Sequence, residues 1–372
     1  PHASAAPGHK TPRLTGCGDS TIREVTRILE EQAIKRGIQR NADSIPLSIV
    51  SDNSQVRGIV TLDVPTGRID AIQAKAVILA TEGHQGLWSK PSDGSGTGSA
   101  LAIAAGIDLK GMEITPRHPL TIRDCGIHIP LDVLGSGGRI RRENGDDVGP
   151  EEVLEGEPCV LDLRQMDADA KVWFSQTSMR IMDRLGIDIS KDVIPLSPGV
   201  AYTTGGAPSD AQGRVVFQGH TTEGLPAELW HTGLYAAGRS AHTGMHGSNA
   251  LPGNLLLDDL VSGKTAGEHA SEWATEIKFG GNTQIEEAVK GESARISSIM
   301  DGDGMAVAKF HSKLTSAISS GSSEEASLAE VRAIKDKGIT LTDTSSIMNT
   351  EMVEALRLVG LASVAEAILT SG

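Results

Sequence analysis

The chain has 372 residues, 38% of them hydrophobic and 22% charged, with a formal charge of −14. That balance is ordinary for a folded globular protein and excludes collagen-like or disordered character, and acid spread along the chain opposes sequence-independent binding to nucleic-acid phosphates. The length predicts two or three domains; no run of about 18 apolar residues marks a membrane span, and residues 1–20 lack a signal-peptide core.

Asp19 and Ser20 are placed to cap a helix whose apolar positions Ile22, Val25, Ile28 and Leu29 share one face, with Gly37 closing it. Residues 46–50, 56–64 and 68–72 read as extended segments of a β-meander, the last two joined by a turn at Pro65, Thr66 and Gly67. The apolar run from Ala76 to Ala80 has the pattern of a strand covered on both faces, and it ends in Thr81-Glu82-Gly83, where ligands of open α/β sheets gather. After a loop at residues 91–96, the small residues from Gly98 to Ala105 predict a helix able to lie close to a sheet, ended by Gly106.

Composition turns polar and mixed between 114 and 200, with a turn-rich stretch at 135–149 and a helix expected over Val172 to Leu185, the pattern of an inserted domain. Leu234 to Gly238 reads as a second buried strand running into a Gly-rich loop, followed by a helix from Leu255 to His269. The remainder reads as a separate helical domain with a Ser-rich break at 319–323 and a helix cap at Asp343, Thr344 and Ser345. Cys17, Cys125 and Cys159 are isolated and odd in number, which fits a reducing, cytoplasmic setting and predicts buried small hydrophobes rather than ligands.

Searches for chemistry by spacing alone return little. No GxGxxG follows an opening strand, and Gly94-Ser95-Gly96-Thr97-Gly98 follows a loop. His242 and His246 lie four apart, but no Glu follows His242, and Gly244 and Gly247 disfavour the helix a zinc pair would need. The absence of GxSxG removes the commonest hydrolase elbow.

Longer stretches do carry a resemblance. Ala80-Thr81-Glu82-Gly83 is similar to an ATGG strand end, Gly96-Thr97-Gly98 with Ala104-Ala105-Gly106 to TGDG…RAG, and Met112-Glu113 with His118-Pro119 to ME…HPT. The stretch from Ala237-Gly238-Arg239 through His246-Gly247-Ser248-Asn249 to Leu256-Leu257-Asp258 resembles AGE…HGANRLGGNSLLD. Near the end, Gly302 to Ala306 resembles GDAMA, and Asp343 to Leu356 resembles a DTS…FNT…VE.LEL segment. These landmarks, in this order, resemble the flavoprotein subunits of the succinate dehydrogenase and fumarate reductase family.

That resemblance implies an α/β fold: a partial Rossmann-like FAD-binding domain over 1–113 and 201–270, an inserted α+β capping domain over 114–200, and a C-terminal helical domain over 271–372. It also implies a chain truncated at both ends, without the family's GxGxxG segment, with poor flavin binding and a parallel sheet left with an exposed edge. FAD is the implied cofactor, contacted by Ala80, Thr81, Glu82, Thr97, Gly98, Tyr202, Gly238, Arg239, Leu255 and Leu256. His118 is the implied catalytic-site residue, a hydrogen-bond donor to a substrate carboxylate.

Other implied positions depart from the family. Pro130-Leu131-Asp132 stands where its carboxylate-binding TEG falls, Ala201 replaces the histidine of HYMGG, and Ala250 replaces the arginine of HGANRL. Arg239 replaces the AGE glutamate, and Leu255 the serine of the NS pair. The implied activity is hydride transfer between a dicarboxylate and flavin, the implied partner an iron–sulfur subunit of a respiratory complex, with any membrane reached only through partner subunits. The lost clamps keep open a relative with another substrate, similar to L-aspartate oxidase, and a non-catalytic structural relative.

Overall fold

The computed structural model describes residues 2–88, 94–319 and 321–371. The proposed loop at 91–96 and break at 319–323 therefore fall partly outside the described residues. A short antiparallel pair, β1 (His2–Ser4) and β2 (Leu14–Gly16), precedes α1 (Thr21–Lys35). The alternating stretch that follows forms the expected meander of β3 (Ser44–Asp52), β4 (Gln55–Asp63) and β5 (Arg68–Gln73). Its second turn holds because the Asp63 carboxylate accepts the Thr66 N–H at 3.2 Å and Gly67 takes φ +71°. Next come β6 (Val77–Leu79) and α2 (Thr97–Ala104).

The polar middle of the chain builds its own sheet from β7 (His118–Ile122), β8 (Arg139–Arg142), β9 (Asp147–Val148), with α3 (Pro150–Leu154), β10 (Cys159–Asp162), α4 (Ala168–Trp173), α5 (Ser175–Leu185) and β11 (Ile194–Gly199). The strand order is β7-β11-β10-β8-β9, all antiparallel neighbours. It closes over its own apolar interior, in which Leu120, Ile129, Leu161, Phe174, Ile181 and Ile194 are buried. Each such side chain contributes roughly 1.5–3 kcal/mol by leaving water.

The chain then returns through β12 (Ala207–Pro208), β13 (Arg214–His220), β14 (Pro226–Ala236) and β15 (Ala241–His242). The end of β14 runs parallel to β6, pairing Leu234 with Val77 and Ala236 with Leu79. After α6 (Asn254–Glu276) and α7 (Thr283–Met300) come β16 (Met305–Ala306), α8 (Val307–Ser319), α9 (Glu324–Lys337), β17 (Ile339–Thr340) and α10 (Thr350–Thr370). The helices after α6 share one continuous core with the main sheet: Leu314, Val331, Leu358 and Leu361 belong to the same buried cluster as Val60, Leu79 and Leu234. No helix among the described residues is long and apolar enough to cross a membrane.

Several local expectations need correction. The α1 helix forms, but its apolar face is not buried: Ile22 is 61% and Leu29 55% exposed. Asp19 does not cap it; the Asp19 carboxylate accepts the Thr177 N–H at 2.6 Å instead, and Ser20 sits at the cap without a side-chain bond. The helix expected over 172–185 is broken at Phe174, where α4 stops and α5 begins. The final helix is capped by Asn349, whose Oδ1 accepts the Met352 N–H at 2.7 Å, while the Asn349 amide donates to the Asp343 and Ser345 carbonyls. Strand β6 is covered on one face only: Leu79 is buried and its neighbour Ile78, on the opposite face, is exposed. Of the three cysteines only Cys159 is buried; Cys17 is exposed.

Candidate functional site

Two parallel strands ending side by side create the site. Leu79, Leu234 and Ala236 anchor β6 and β14 in the core, so the chain leaves both strands at the same level and delivers Thr81 opposite Ser240. The Ser240 hydroxyl accepts the Thr81 N–H at 2.8 Å and donates to the Thr81 carbonyl at 2.9 Å. The Thr81 hydroxyl lies 3.0 Å from Ser240 Oγ and accepts the Gly98 N–H at 3.0 Å. One threonine thereby satisfies a first-turn donor of α2, a helix whose own cap position is Gly96 in the left-handed region with no side-chain bond. Gly98 has to be glycine here: a Cβ would lie 2.4 Å from Thr81 Oγ1 and 2.9 Å from Ser240 Oγ. Beside it, Glu82 accepts the Gly94 N–H at 2.8 Å, and the Ser95 and Thr97 hydroxyls meet at 2.8 Å.

Below these strand ends lies an open cleft lined by residues of the 238–247 loop, the start of α6, and Thr203 and Thr204. Gly238 turns the chain at φ +55°, its N–H donating to Ser262 Oγ at 2.8 Å, and a Cβ there would meet the Asp259 carboxylate at 2.3 Å. Arg239 reaches back to Asp259 at 3.4 Å. His246 donates through Nε2 to Asp258 at 3.0 Å, and His242 donates through Nδ1 to the Thr204 carbonyl at 3.1 Å. Since a carboxylate or carbonyl oxygen only accepts, these contacts define which ring nitrogen of each histidine carries a proton.

Next to Thr203 in sequence, Tyr202 ties two segments together. Its hydroxyl accepts the Ala250 N–H at 3.0 Å and donates to the Asn249 side chain, and desolvation raises its phenol pKa. Deeper, His84 is fully buried; its N–H donates to Thr203 Oγ1 at 3.0 Å, its Nδ1 lies 3.3 Å from the same oxygen, and burial pushes its pKa down to about 4.

Of the residues singled out from sequence, Gly238, Arg239 and Leu255 line the cleft directly. Ala80, Thr81, Glu82, Thr97, Gly98, Tyr202 and Leu256 do not line it; Thr81 bonds Ser240 and Gly98, and Tyr202 bonds Ala250. His118 stands elsewhere, on β7, with Nε2 donating to the Ile129 carbonyl at 2.8 Å and its ring edge-on to His128 at 5.6 Å; desolvation lowers its pKa. Sequence reading missed Ser240, Thr204 and Asp258, ordinary polar residues whose role exists only once the strands meet. The spacing of His242 and His246 was the one available signal; among the described residues no group of side chains could hold a metal ion.

The cleft suits a polar, anionic cofactor. Arg239 stands on one side, Leu255 brings the first turn of α6 to the lining, and Asp258, held by His246, is the carboxylate on that lining. Glycines 238, 244 and 247 keep the wall low enough for backbone to approach a ligand.

The FAD binding domain family matches residues 2–256, and the chain belongs to that family, whose cofactor is FAD. Among curated relatives, it is 27% identical over 389 residues to the fumarate reductase flavoprotein subunit of Escherichia coli (strain K12), an alignment covering 90% of this chain and 62% of the relative. It is 26% identical to the succinate dehydrogenase flavoprotein subunit of Rickettsia bellii (strain RML369-C), over 94% of this chain and 65% of the relative. A solved E. coli quinol fumarate reductase chain shares the fold with a TM-score of 0.86 at 23% identity, over 99% of this chain and 70% of that one. The chain thus spans less than two thirds of the length of these curated relatives, and the family resemblance drawn from its motifs stands.

Proposed function

We propose that this chain is the flavin-holding part of an FAD-dependent oxidoreductase, organised as an FAD-binding domain with a capping domain over 114–200 and a helical domain over 271–372. The observation that carries the reading is the convergence of Gly238, Arg239 and Leu255 on one cleft, tied through Ser240 to Thr81 and Gly98. In the proposed mechanism Arg239 and the N–H groups opening α6 would hold the anionic part of the cofactor, and the Thr81–Ser240–Gly98 linkage would brace the strand ends beside the cleft. FAD, when bound, supplies an acceptor and donor of hydride.

The relatives point to a C4-dicarboxylate as the substrate, with an iron–sulfur subunit receiving electrons; His118, whose Nε2 proton is held by the Ile129 carbonyl, would have to give up that contact to donate to a carboxylate. A second reading, another substrate, is favoured by a specific observation: Ala201 and Ala250, where the family carries cationic clamps, lie on segments pinned together by Tyr202. One charge-assisted hydrogen bond contributes roughly 1.5–3 kcal/mol, so losing two weakens dicarboxylate recognition severely. The test is to incubate the purified chain with FAD and titrate the flavin absorption band with fumarate and with succinate. A band perturbed by either acid supports the dicarboxylate, a band indifferent to both supports another substrate, and the absence of bound flavin overturns the reading of this chain as flavin-holding.

A further inference from the structure

Among the described residues the 114–200 span shares no buried apolar cluster with the rest of the chain: its own core runs from Leu120 to Leu196, and the main cluster draws nothing from that span. Fastening between the two bodies falls to polar and backbone contacts, and a clasp of this kind stands where Gly18 and Asp19 meet the break between α4 and α5. The Asp19 N–H donates to the Trp173 carbonyl at 3.1 Å, and the Asp19 carboxylate accepts the Thr177 N–H at 2.6 Å. The Ser178 N–H bonds the Phe174 carbonyl, so the earlier N–H groups of α5 need acceptors from outside the helix, and its cap residue, Phe174, makes no side-chain bond to them. Asp19 supplies one from 158 residues away, at the third helical position, where an ordinary N-cap side chain would accept. Gly18 permits the approach: at φ +64° its added Cβ would lie 2.0 Å from the Trp173 carbonyl oxygen. Arg23 of α1 also donates to Gln176 at 3.3 Å, and a Cβ at Gly135 would lie 2.2 Å from the Ala5 carbonyl oxygen.

A like charge opposes this clasp. Asp132, in the 131–136 turn, accepts the Trp173 indole N–H at 3.4 Å, and its pKa is raised by desolvation first and then by the charge of Asp19. One carboxylate on each body therefore acts on the other across the boundary, and their repulsion works against the bond that Asp19 makes. Resting on the reading of 114–200 as a domain of its own, we propose that the Asp19 clasp is a releasable latch between that domain and the rest of the chain. Docked, Asp19 holds Trp173 and Thr177; undocked, the two carboxylates separate into water and the domain moves on the chain crossovers that join it to the main body. Opening it exposes no shared apolar core, so the domain's placement is an equilibrium between two positions set by a few polar contacts.

The experiment uses the full chain and reads amide hydrogen exchange at residue resolution, at neutral pH, in the wild type and in Asp132→Asn and Asp19→Ala. The amides of residues 19 and 177 both cross the boundary, so one opening event is expected to give them a common protection factor. Asp132→Asn removes the opposing charge, keeps an acceptor for Trp173 and touches neither amide; it is expected to raise both protection factors several-fold. Asp19→Ala is expected to lower protection of the residue-19 amide, whose own bond to Trp173 the substitution leaves in place, by about tenfold, while β10 and β14 exchange as in the wild type. Protection lost at residue 177 alone shows a local helix cap and overturns the latch, as does an Asp132→Asn protein in which the two factors stay level or fall; either result leaves the domain reading intact. If Asp19→Ala loses protection in β14 as well, the chain has unfolded and the Asp132→Asn result decides. Wild-type β10 and β14 sharing one protection factor with residues 19 and 177 would show a single cooperative body and overturn the domain reading and the latch together.

Discussion

The Tyr202 hydroxyl accepts the backbone N–H of Ala250 at 3.0 Å, joining two segments 48 residues apart. Each segment carries a small alanine where a larger polar side chain could have reached inward, so the bridge shapes a neutral corner.

Removing that bridge tests it. Tyr202→Phe strips the partner from the Ala250 N–H and from Asn249, and a lost partner at a partly buried donor costs roughly 1–3 kcal/mol. The expected outcome is a lower urea midpoint with an unchanged slope, and a several-fold weaker flavin affinity by fluorescence quenching.

Two glycines of similar chemistry should behave oppositely. At Gly98 an added Cβ meets Thr81 and Ser240 hydroxyl atoms, and overpacking of this kind costs typically about 1–3 kcal/mol. At Gly263, inside α6, a Cβ meets nothing within 4 Å, and Gly→Ala in a helix interior stabilises by roughly 0.5–1 kcal/mol. Chemical denaturation of Gly98→Ala and Gly263→Ala should therefore move the midpoint in opposite directions.

His84 predicts an acid-side loss of stability. Burial holds its pKa at about 4 in the folded chain, against an ordinary value of about 6.5 when unfolded. Between those values the unfolded chain binds more protons, so stability is complete above about pH 6.5 and declines as pH falls toward 4, by up to about 1.4 kcal/mol per pH unit. Thermal unfolding followed across that window should show the slope in the wild type and a shallower one in His84→Leu.

The exposed face of α1 should be dispensable for folding. Ile28 and Leu29 are 49% and 55% exposed, and surface substitutions of this kind usually fall within about 0.5 kcal/mol. Ile28→Ser with Leu29→Ser is expected to leave the unfolding midpoint in place while lowering self-association measured by light scattering, since an apolar helix face in water promotes association.

Much of the architecture was legible because it depends on periodicity. Alternation over 44–73 specifies a meander whatever surrounds it, and the apolar run at 234–236 reads as a buried strand because only a covered strand tolerates it. Gly238, Arg239 and Leu255, which meet at the cleft, were legible as candidates through motif resemblance.

What the sequence by itself determined, then, was the meander at 44–73, the strand leading into Gly238, the helix after it, and the family to which the chain belongs. What only the tertiary structure decided was pairing between distant polar groups. Asp19 reads as a helix cap until Thr177 is brought 2.6 Å from it, and Ser240 is an unremarked loop serine until β6 and β14 run parallel and set it against Thr81. The physical reason is that helix and strand patterns arise from spacing along one segment, whereas a side-chain hydrogen bond reaches about 3 Å and so depends on which segments the core brings together.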